Sequence, residues 1–298
     1  MPLLVGHRLT GRHFFLVNGL LELSKPRITQ LVVLTAAAGY YLGLRDAFEF
    51  PVFVATILGT ALVASGTNAF NMIRERAVDA RMRRTSRRPL PSGRVSLRAA
   101  MAFGAITAAM GIGVLAWRVN LLTAALAALT LVSYVWLYTS LKRRSTLNTL
   151  VGAVPGALPV LGGWTAAGGA LDAPAFALFW TLFLWQLPHF LALAWMYRED
   201  YRSAQLKMLS VDDVDGRRTA RMALLYAVAL LPVSLLPTML GVTGTVYFWG
   251  ALALGLAYAG TGVFMLGDVN RRAWWVFLAS IIYLPALLTL AVLDKVRV

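Results

Sequence analysis

Nine apolar stretches recur along the chain, and they constrain its fold more than any other feature of the sequence. An α-helix needs about 20 such residues to cross the hydrocarbon layer of a membrane. We therefore predict an all-α polytopic membrane protein, with nine transmembrane helices in a single bundle that forms one domain over residues 1–298. The predicted spans cover residues 27–44, 52–72, 98–117, 120–138, 147–167, 173–196, 222–241, 244–267 and 273–293.

Composition supports a lipid-embedded protein, because 59% of the residues are hydrophobic and only 14% are charged. Soluble domains carry roughly 25% charged residues. The net charge of +15 does not indicate nucleic-acid binding, because the arginines lie in short loops between apolar spans. The chain has no cysteine, which excludes disulfides and thiolate chemistry.

The basic residues predict the orientation of the bundle. With a cytoplasmic N-terminus, 24 of the 28 lysines and arginines fall in cytoplasmic segments. Such an excess is typical of cytoplasmic loops. We therefore expect the N-terminus inside and the C-terminus outside, where only Arg45, Arg118, Lys295 and Arg297 remain. No cleaved signal peptide is expected, because no short apolar core with a cleavage site follows the basic start at His7, Arg8, Arg12 and His13.

The segment NMIRERAVDARMRRTSRRPLPSG, from Asn71 to Gly93, follows the second span and is the most charged part of the chain. Asn71, Glu75 and Asp79 are spaced by four, so on a helix they lie within an arc of roughly 80°. Oxygen ligands in such a row suit Mg²⁺ bound together with phosphate, and arginines bind phosphate through paired hydrogen bonds. The alternative is a helix end where the acids only balance arginines, with Arg83 four residues after Asp79.

Two more polar clusters lie where other spans end on the same predicted side. Tyr197, Glu199, Asp200 and Tyr201 follow span six, and Tyr138 and Lys142 lie four residues apart at the end of span four. The three clusters together predict one polar pocket at the membrane boundary, which an allylic diphosphate on Mg²⁺, with its tail in the bundle, would fill. Taken singly, Asp200 also fits a solvated loop acid, and the basic run from Lys142 also fits a membrane anchor.

His189 is the only histidine inside a predicted span. An ionisable residue at that depth is a candidate functional residue, and imidazole suits haem iron or proton transfer. Trp185, Phe190 and Trp195 lie nearby and fit a flat aromatic ligand. The alternatives are a hydrogen-bonded structural histidine and ordinary packing aromatics.

The order of these motifs resembles the UbiA-type intramembrane prenyltransferases, over nearly the whole chain. The segment from Asn71 resembles their first aspartate-rich motif, with RPLPSG after the acids. Four other stretches resemble the branch that farnesylates haem: LSKPRITQLVVLTAAAG from Leu23, YTSLKRRSTLNTLVGAVPGALPVLGGW from Tyr138, FLWQLPHFLALAWMYREDY from Phe183, and SIIYLP from Ser280.

The resemblance assigns roles to these residues. It implies that Asn71, Glu75, Asp79, Tyr197 and Asp200 are catalytic, and that all of these except Tyr197 hold Mg²⁺. It further implies that the diphosphate-binding residues are Arg74, Arg83, Arg84, Arg87, Arg88, Tyr138, Lys142 and Arg143.

Two positions depart from the pattern of the family. The acid that often precedes the tyrosine of the second motif by three residues is Ala194 here, and Glu75 stands where many relatives have aspartate. Asp200 is thereby left as the main metal ligand of the second motif. His189 matches a Pro-His-Phe sequence of the haem branch, which implies haem binding by His189 and Trp185.

The function implied by the resemblance is Mg²⁺-dependent transfer of a farnesyl group from farnesyl diphosphate to the 2-vinyl group of haem b. Water adds in the same reaction, and haem O results, with haem b a substrate. The runner-up is a prenyltransferase with an aromatic quinone precursor as acceptor. Different classes are a membrane anion transporter and a non-catalytic haem scaffold. The implied location is the bacterial cytoplasmic membrane, and the implied protein partners are haem A synthase and terminal oxidase assembly.

Overall fold

The computed structural model describes residues 17–296, and this part of the chain is helical apart from connecting loops. The predictions about the basic N-terminus, the signal peptide and Arg297 lie outside the described residues. Nine long helices follow one another in the described part: α1 Pro26–Gly43, α2 Phe50–Asp79, α3 Leu97–Arg118, α4 Leu121–Leu141, α5 Asn148–Ala166, α6 Ala173–Met196, α7 Arg217–Met239, α8 Thr245–Gly267 and α9 Val269–Leu293. Short helices cover Arg198–Ser203 and Leu209–Asp212, between α6 and α7, and residues 17–23.

Eight of these helices, α2 to α9, are long and apolar enough to cross a membrane within the described residues. The helix α1 forms where the first span is predicted, but it is not among the eight. Its 18 residues begin with Pro26 and Arg27 and include Gln30, so this helix has no 18-residue stretch as apolar as those of the other eight. The protein is thus an all-α polytopic membrane protein.

The outer surface of the bundle is apolar, as expected for helices that face lipid. On α8, for example, Val246, Trp249, Leu256 and Val263 are each more than half exposed. Soluble proteins rarely expose so many large apolar side chains together. The lipid tails replace water as the solvent of these faces.

Small residues let the helices approach closely. A Cβ atom at Gly66 of α2 would lie 2.8 Å from the carbonyl oxygen of Gly104 on α3. A Cβ atom at Gly163 of α5 would clash with the carbonyl oxygen of Ala36 on α1. Membrane helices pack through such residues because lipid offers no hydrophobic driving force between them. These close glycine contacts hold α1 against α5 and α2 against α3.

The helix α2 continues beyond its apolar part. The span is predicted to end at residue 72, whereas the helix ends at Asp79. Apolarity is lost at Arg74, but arginine, glutamate and alanine are good helix formers and carry the helix further. The polar row from Asn71 therefore lies on a regular helix at the end of the bundle.

Candidate active site

The polar row at the end of α2 is buried. Asn71, Glu75 and Asp79 are exposed over only 1%, 9% and 0% of their surfaces. A spacing of four residues places them along one face of the helix. Buried amide and carboxylate groups are costly unless they are paired. Each of the three side chains is hydrogen-bonded to a lysine or arginine side chain from a different segment of the chain.

Lys25 is the partner of Asn71. Its Nζ donates to Asn71 Oδ1 at 2.7 Å, and Asn71 Nδ2 donates to Thr139 Oγ1 at 3.2 Å. Lys25 immediately precedes α1 and has a φ of 47°, in the left-handed region that non-glycine residues adopt at a cost. Burial, together with the charge of Arg88, lowers the pKa of Lys25 to about 7. This ammonium group is therefore held where a bound anion would stabilise it.

Lys142 is the partner of Glu75, and it follows α4 directly. Its Nζ donates to Glu75 Oε1 at 2.6 Å and lies 4.4 Å from the centre of the Tyr138 ring. Burial by itself lowers the pKa of Lys142, but the adjacent Glu75 carboxylate outweighs it and raises this pKa well above its ordinary value. Lys142 is therefore charged in the folded protein.

The last turns of α4 have π-helical geometry from Ser133 to Tyr138. Such π-helical turns are frequent at functional sites. The ring centres of Tyr134 and Tyr138 are 5.1 Å apart, and Gly152 of α5 leaves the space for Tyr138, since a Cβ there would lie 2.5 Å from its ring. The two helices together hold Tyr138 beside Lys142.

Arg88 is the partner of Asp79. Its Nη1 donates to both carboxylate oxygens, at 2.9 Å and 2.8 Å. The hydroxyl of Thr85 donates to the carbonyl oxygen of Asp79 at 3.0 Å, so the loop after α2 folds back over the helix end. Arg83, the partner suggested by a spacing of four, is exposed instead. The helix ends at Asp79, and helical spacing no longer applies beyond it.

A second group of charged residues lines an open cleft beside this end of α2. The backbone N–H of Arg84 donates to Asp200 Oδ2 at 3.3 Å, and the Arg84 guanidinium lies 4.8 Å from the centre of the Tyr197 ring. Arg83 and Arg87 also line the cleft. The structure thus brings the first and second charged loops together, as the sequence predicts.

Two of the arginines predicted to bind diphosphate lie away from these contacts. Arg74 donates to Ser140 Oγ at 2.9 Å, and Arg143 is exposed. Neither side chain lines the cleft or the cavity described next.

An apolar cavity of about 580 Å³ lies inside the bundle. It is next to the charged corner, by which we mean the polar row at the end of α2 with Lys25, Lys142 and Arg88, although none of these side chains lines the cavity itself. Its size falls within the roughly 300–1,000 Å³ that is usual for ligand pockets. Arg84 lines both the cavity and the cleft, so the two meet at this residue. Asn68, three residues before Asn71, and Tyr134 also line the cavity. A ligand with a charged head and an apolar tail can therefore occupy both regions.

His189 and Trp185 line the same cavity. The imidazole is stacked with two aromatic rings, with its centre 5.6 Å from that of Trp185 and 4.9 Å from that of Phe277. Its Nδ1 lies 2.7 Å from Ser280 Oγ. The ring is therefore fixed in position at the wall of an apolar chamber.

Sequence reasoning did not select Lys25, Tyr134, Phe277 or Ser280 as site residues. Lys25 resembles an ordinary membrane anchor, although its position just before Pro26 at a span boundary is a usable signal. Tyr134 precedes Tyr138 by four residues, which also indicates a shared helix face. Ser280 begins the SIIYLP stretch, whereas Phe277 lies three residues before it and has no signal of its own, because α9 meets His189 only in the folded bundle.

The donor set suits Mg²⁺ held together with a diphosphate. Asn71, Glu75, Asp79 and Asp200 offer hard oxygen donors, and Mg²⁺ is commonly bound by one or two carboxylates plus substrate phosphates and water. Within residues 17–296, no three acidic, histidine or cysteine side chains are grouped closely enough to hold a metal ion alone. The phosphate oxygens would complete the coordination.

Comparison with known proteins explains this arrangement. The model of the UbiA prenyltransferase family matches residues 32–292. The chain belongs to the UbiA prenyltransferase family. The prediction of an enzyme of this family, in preference to a transporter or a scaffold, is confirmed.

Several curated relatives are named protoheme IX farnesyltransferase. The chain is 46% identical over 285 residues to a protoheme IX farnesyltransferase from Solibacter usitatus, with 92% of this chain and 98% of that protein covered. The branch of the family indicated by the sequence motifs is therefore confirmed.

Solved structures share the fold. The digeranylgeranylglyceryl phosphate synthase superposes with a TM-score of 0.78 at 18% identity, and covers 93% of this chain and 98% of its own. A UbiA homologue from Archaeoglobus fulgidus, solved with DMAPP and Mg²⁺, gives a TM-score of 0.64 at 15% identity, with 91% and 98% covered. At these identities the likeness shows the fold.

Proposed function

We propose that the protein is a Mg²⁺-dependent protoheme IX farnesyltransferase. It transfers a farnesyl group from farnesyl diphosphate to the 2-vinyl group of haem b, with addition of water, and forms haem O. The observation that carries the proposal is the buried row of Asn71, Glu75 and Asp79 with its three basic partners. It lies beside a charged cleft that meets an apolar cavity of about 580 Å³ at Arg84. The relative from Solibacter usitatus is named for the same reaction.

The diphosphate binds at the corner formed by the ends of α2 and α4. Lys25, Lys142 and Arg88 each pair with one oxygen side chain of the polar row. A diphosphate that enters takes these three cations as its own partners, through charge-assisted hydrogen bonds. The oxygens of Asn71, Glu75 and Asp79 then lose their contacts with the three basic side chains. The contacts within the protein are replaced by contacts between these side chains and the diphosphate.

The released oxygens of Asn71, Glu75 and Asp79, with Asp200 from the second loop, are the residues that would hold Mg²⁺. The Archaeoglobus fulgidus homologue was solved with this ion and a prenyl diphosphate. When bound, Mg²⁺ supplies positive charge to the diphosphate as it departs. Lys142 and Arg88 add fixed charge at the same place, where negative charge develops in the transition state.

The apolar cavity protects the reactive carbon. As the carbon–oxygen bond of farnesyl diphosphate breaks, both electrons leave with the diphosphate, and an allylic cation remains. The terminal carbon of the haem vinyl group attacks this cation. Water then adds to the adjacent carbon and loses a proton, which gives the hydroxyl group of the product. Exclusion of other water by the apolar walls prevents hydrolysis of the cation.

The acceptor binds beside His189. This residue and Trp185 lie on the cavity wall, about two helical turns from Tyr197 at the end of α6, which corresponds to a rise of about 12 Å. The imidazole therefore lies beyond the diphosphate corner, on the acceptor side. A flat macrocycle fits against the aromatic rings that flank it.

We further propose that α1 completes nine transmembrane helices, with the N-terminus cytoplasmic and the C-terminus outside. The excess of basic residues on one side supports this orientation. It places the diphosphate corner at the cytoplasmic face of a bacterial cytoplasmic membrane. A haem A synthase and the terminal oxidase assembly system are the proposed recipients of the product.

The test is to incubate the purified protein with haem b, Mg²⁺ and farnesyl diphosphate and to analyse the pigments by mass spectrometry. We expect haem O, with no product when farnesyl diphosphate is omitted. Parallel incubation with a phenolic acid in place of haem b tests the runner-up acceptor. Prenylation of the phenolic acid without any haem O would overturn the proposal.

A further inference from the structure

Ser280 of α9 makes two contacts with α6 at the cavity wall. Its backbone carbonyl accepts a hydrogen bond from Trp185 Nε1 at 2.8 Å, and its Oγ lies 2.7 Å from His189 Nδ1. Ser280 itself is completely buried. The position of the hydroxyl is therefore determined by the packing of α9 against α6.

The direction of the second hydrogen bond follows from the single proton of the serine hydroxyl. Ser280 Oγ also lies within hydrogen-bond distance of the carbonyl oxygen of Phe277. A carbonyl oxygen only accepts, so the hydroxyl donates its proton there. With that proton donated to Phe277, Ser280 Oγ accepts from His189, and this arrangement assigns the proton of the neutral imidazole to Nδ1.

The other ring nitrogen, Nε2, consequently carries a lone pair. No side chain or backbone group among residues 17–296 makes a hydrogen bond to it, and it is not one of the polar atoms sealed inside the protein without a partner. His189 lines the cavity, and the rings of Trp185 and Phe277 are both stacked with the imidazole. Nε2 is thus an oriented acceptor that a ligand in the cavity can reach.

We propose that His189 Nε2 is an axial ligand of the haem iron and that Ser280 is the positioning residue that sets this tautomer. The proposal rests on the proposed function, since it assumes haem in this cavity. A neutral imidazole nitrogen is the usual protein ligand of haem iron. Ligating histidines nearly always donate the other ring N–H to an oxygen, which fixes the ring and its basicity.

Iron ligation also aligns the macrocycle for farnesyl transfer. An axial bond fixes the distance of the iron from α6 and leaves the haem plane roughly perpendicular to the Nε2–iron bond. The vinyl groups lie at the rim of that plane. A fixed iron therefore restricts where the reacting vinyl carbon can lie relative to the diphosphate corner.

The experiment compares purified variants loaded with haem b, by resonance Raman and absorption spectroscopy. His189→Ala should lose the iron–histidine signal, and added imidazole should restore it. Ser280→Ala should keep ligation but shift the iron–nitrogen stretch and weaken haem binding about tenfold. Ser280→Thr retains the hydroxyl and should resemble the wild type. The control is Ser234→Ala, which alters another fully buried serine away from the cavity and should leave the spectrum unchanged.

The outcomes separate this inference from the proposed function. If the wild type forms haem O but His189→Ala gives an unchanged haem spectrum, the ligand inference fails and the farnesyltransferase remains. If His189→Ala keeps the iron–histidine signal and loses only water addition, Nε2 acts on the water instead, and the ligand inference is again overturned. If the wild type neither binds nor converts haem b, both the inference and the proposed function fail.

Discussion

Lys142 Nζ and Glu75 Oε1 lie 2.6 Å apart, and this ion pair joins the ends of α4 and α2. Their side chains are only 16% and 12% exposed. Removing one partner of a buried pair leaves the other charge uncompensated, at a cost of about 3 kcal/mol or more. The pair therefore contributes to the stability of the helix ends as well as to the site.

We expect Glu75→Gln to lower turnover at least about 100-fold, because a charged ligand of the corner is lost. The same variant should unfold at a lower temperature, since Lys142 loses its counter-charge. The double variant Glu75→Gln/Lys142→Met removes both charges and should regain thermal stability but not activity. Thermal unfolding and haem O formation, measured on both variants, check this. Recovery of activity in the double variant would show that the pair is only structural.

Asp79→Asn should also abolish most turnover while the protein stays folded in the membrane. Asparagine keeps one oxygen for Arg88 but removes the charge and the second acceptor. Farnesyl transfer at increasing Mg²⁺ concentration is the measurement. Near-normal Mg²⁺-dependent activity would mean that Asp79 serves only to hold the Arg88 loop.

The structure predicts different effects for two adjacent arginines. Arg88 pairs with the fully buried Asp79, whereas Arg87 is exposed in the cleft. Arg88→Gln should lower both thermal stability and the affinity for farnesyl diphosphate, and Arg87→Gln should lower only the affinity. Replacing both should weaken farnesyl diphosphate binding more than haem binding. Unchanged farnesyl diphosphate affinity in the double variant would contradict the assignment of these arginines.

Lys25→Met should weaken binding of inorganic pyrophosphate by roughly tenfold or more, because a hydrogen bond to a charged group contributes about 1.5–3 kcal/mol. It should also leave Asn71 Oδ1 without its cation, so that Mn²⁺, as a probe for the Mg²⁺ site, binds at least as well as in the wild type. Calorimetry with each probe alone measures both effects. Lys207→Met, which alters an exposed lysine, is the control and should change neither. Normal pyrophosphate affinity would remove Lys25 from the site.

Gly152→Ala should displace Tyr138 from Lys142, because the added Cβ would lie 2.5 Å from the Tyr138 ring. We expect a higher KM for farnesyl diphosphate with little change in haem binding. Gly113→Ala, where a Cβ meets no atom within 4 Å, is the matched helical control. That control should leave kinetics unchanged and stabilise its helix slightly, as alanine does relative to glycine. Equal kinetics for both variants would indicate that Tyr138 has no role at the site.

The sequence predicts the helices well because apolarity over about 20 residues is a local property. The predicted second span ends at residue 72 whereas the helix α2 continues to Asp79, since hydropathy and helix formation end at different residues. The sequence also predicts α1 as a membrane span like the others, although Arg27 and Gln30 leave that helix without an 18-residue stretch as apolar as theirs. The row of Asn71, Glu75 and Asp79 is correctly placed on one helix face, because four-residue spacing fixes it.

The sequence by itself therefore determined the helical bundle, the family and the oxygen row, all of which depend on local periodicity or on motif order. Only the tertiary structure decided the partners. Lys25 and Asn71 are 46 residues apart, Glu75 and Lys142 are 67 apart, and His189 and Ser280 are 91 apart. Positions along one helix follow from its covalent geometry. Contacts between helices depend on where small residues let one helix pack closely against another. No single segment of the sequence contains that information.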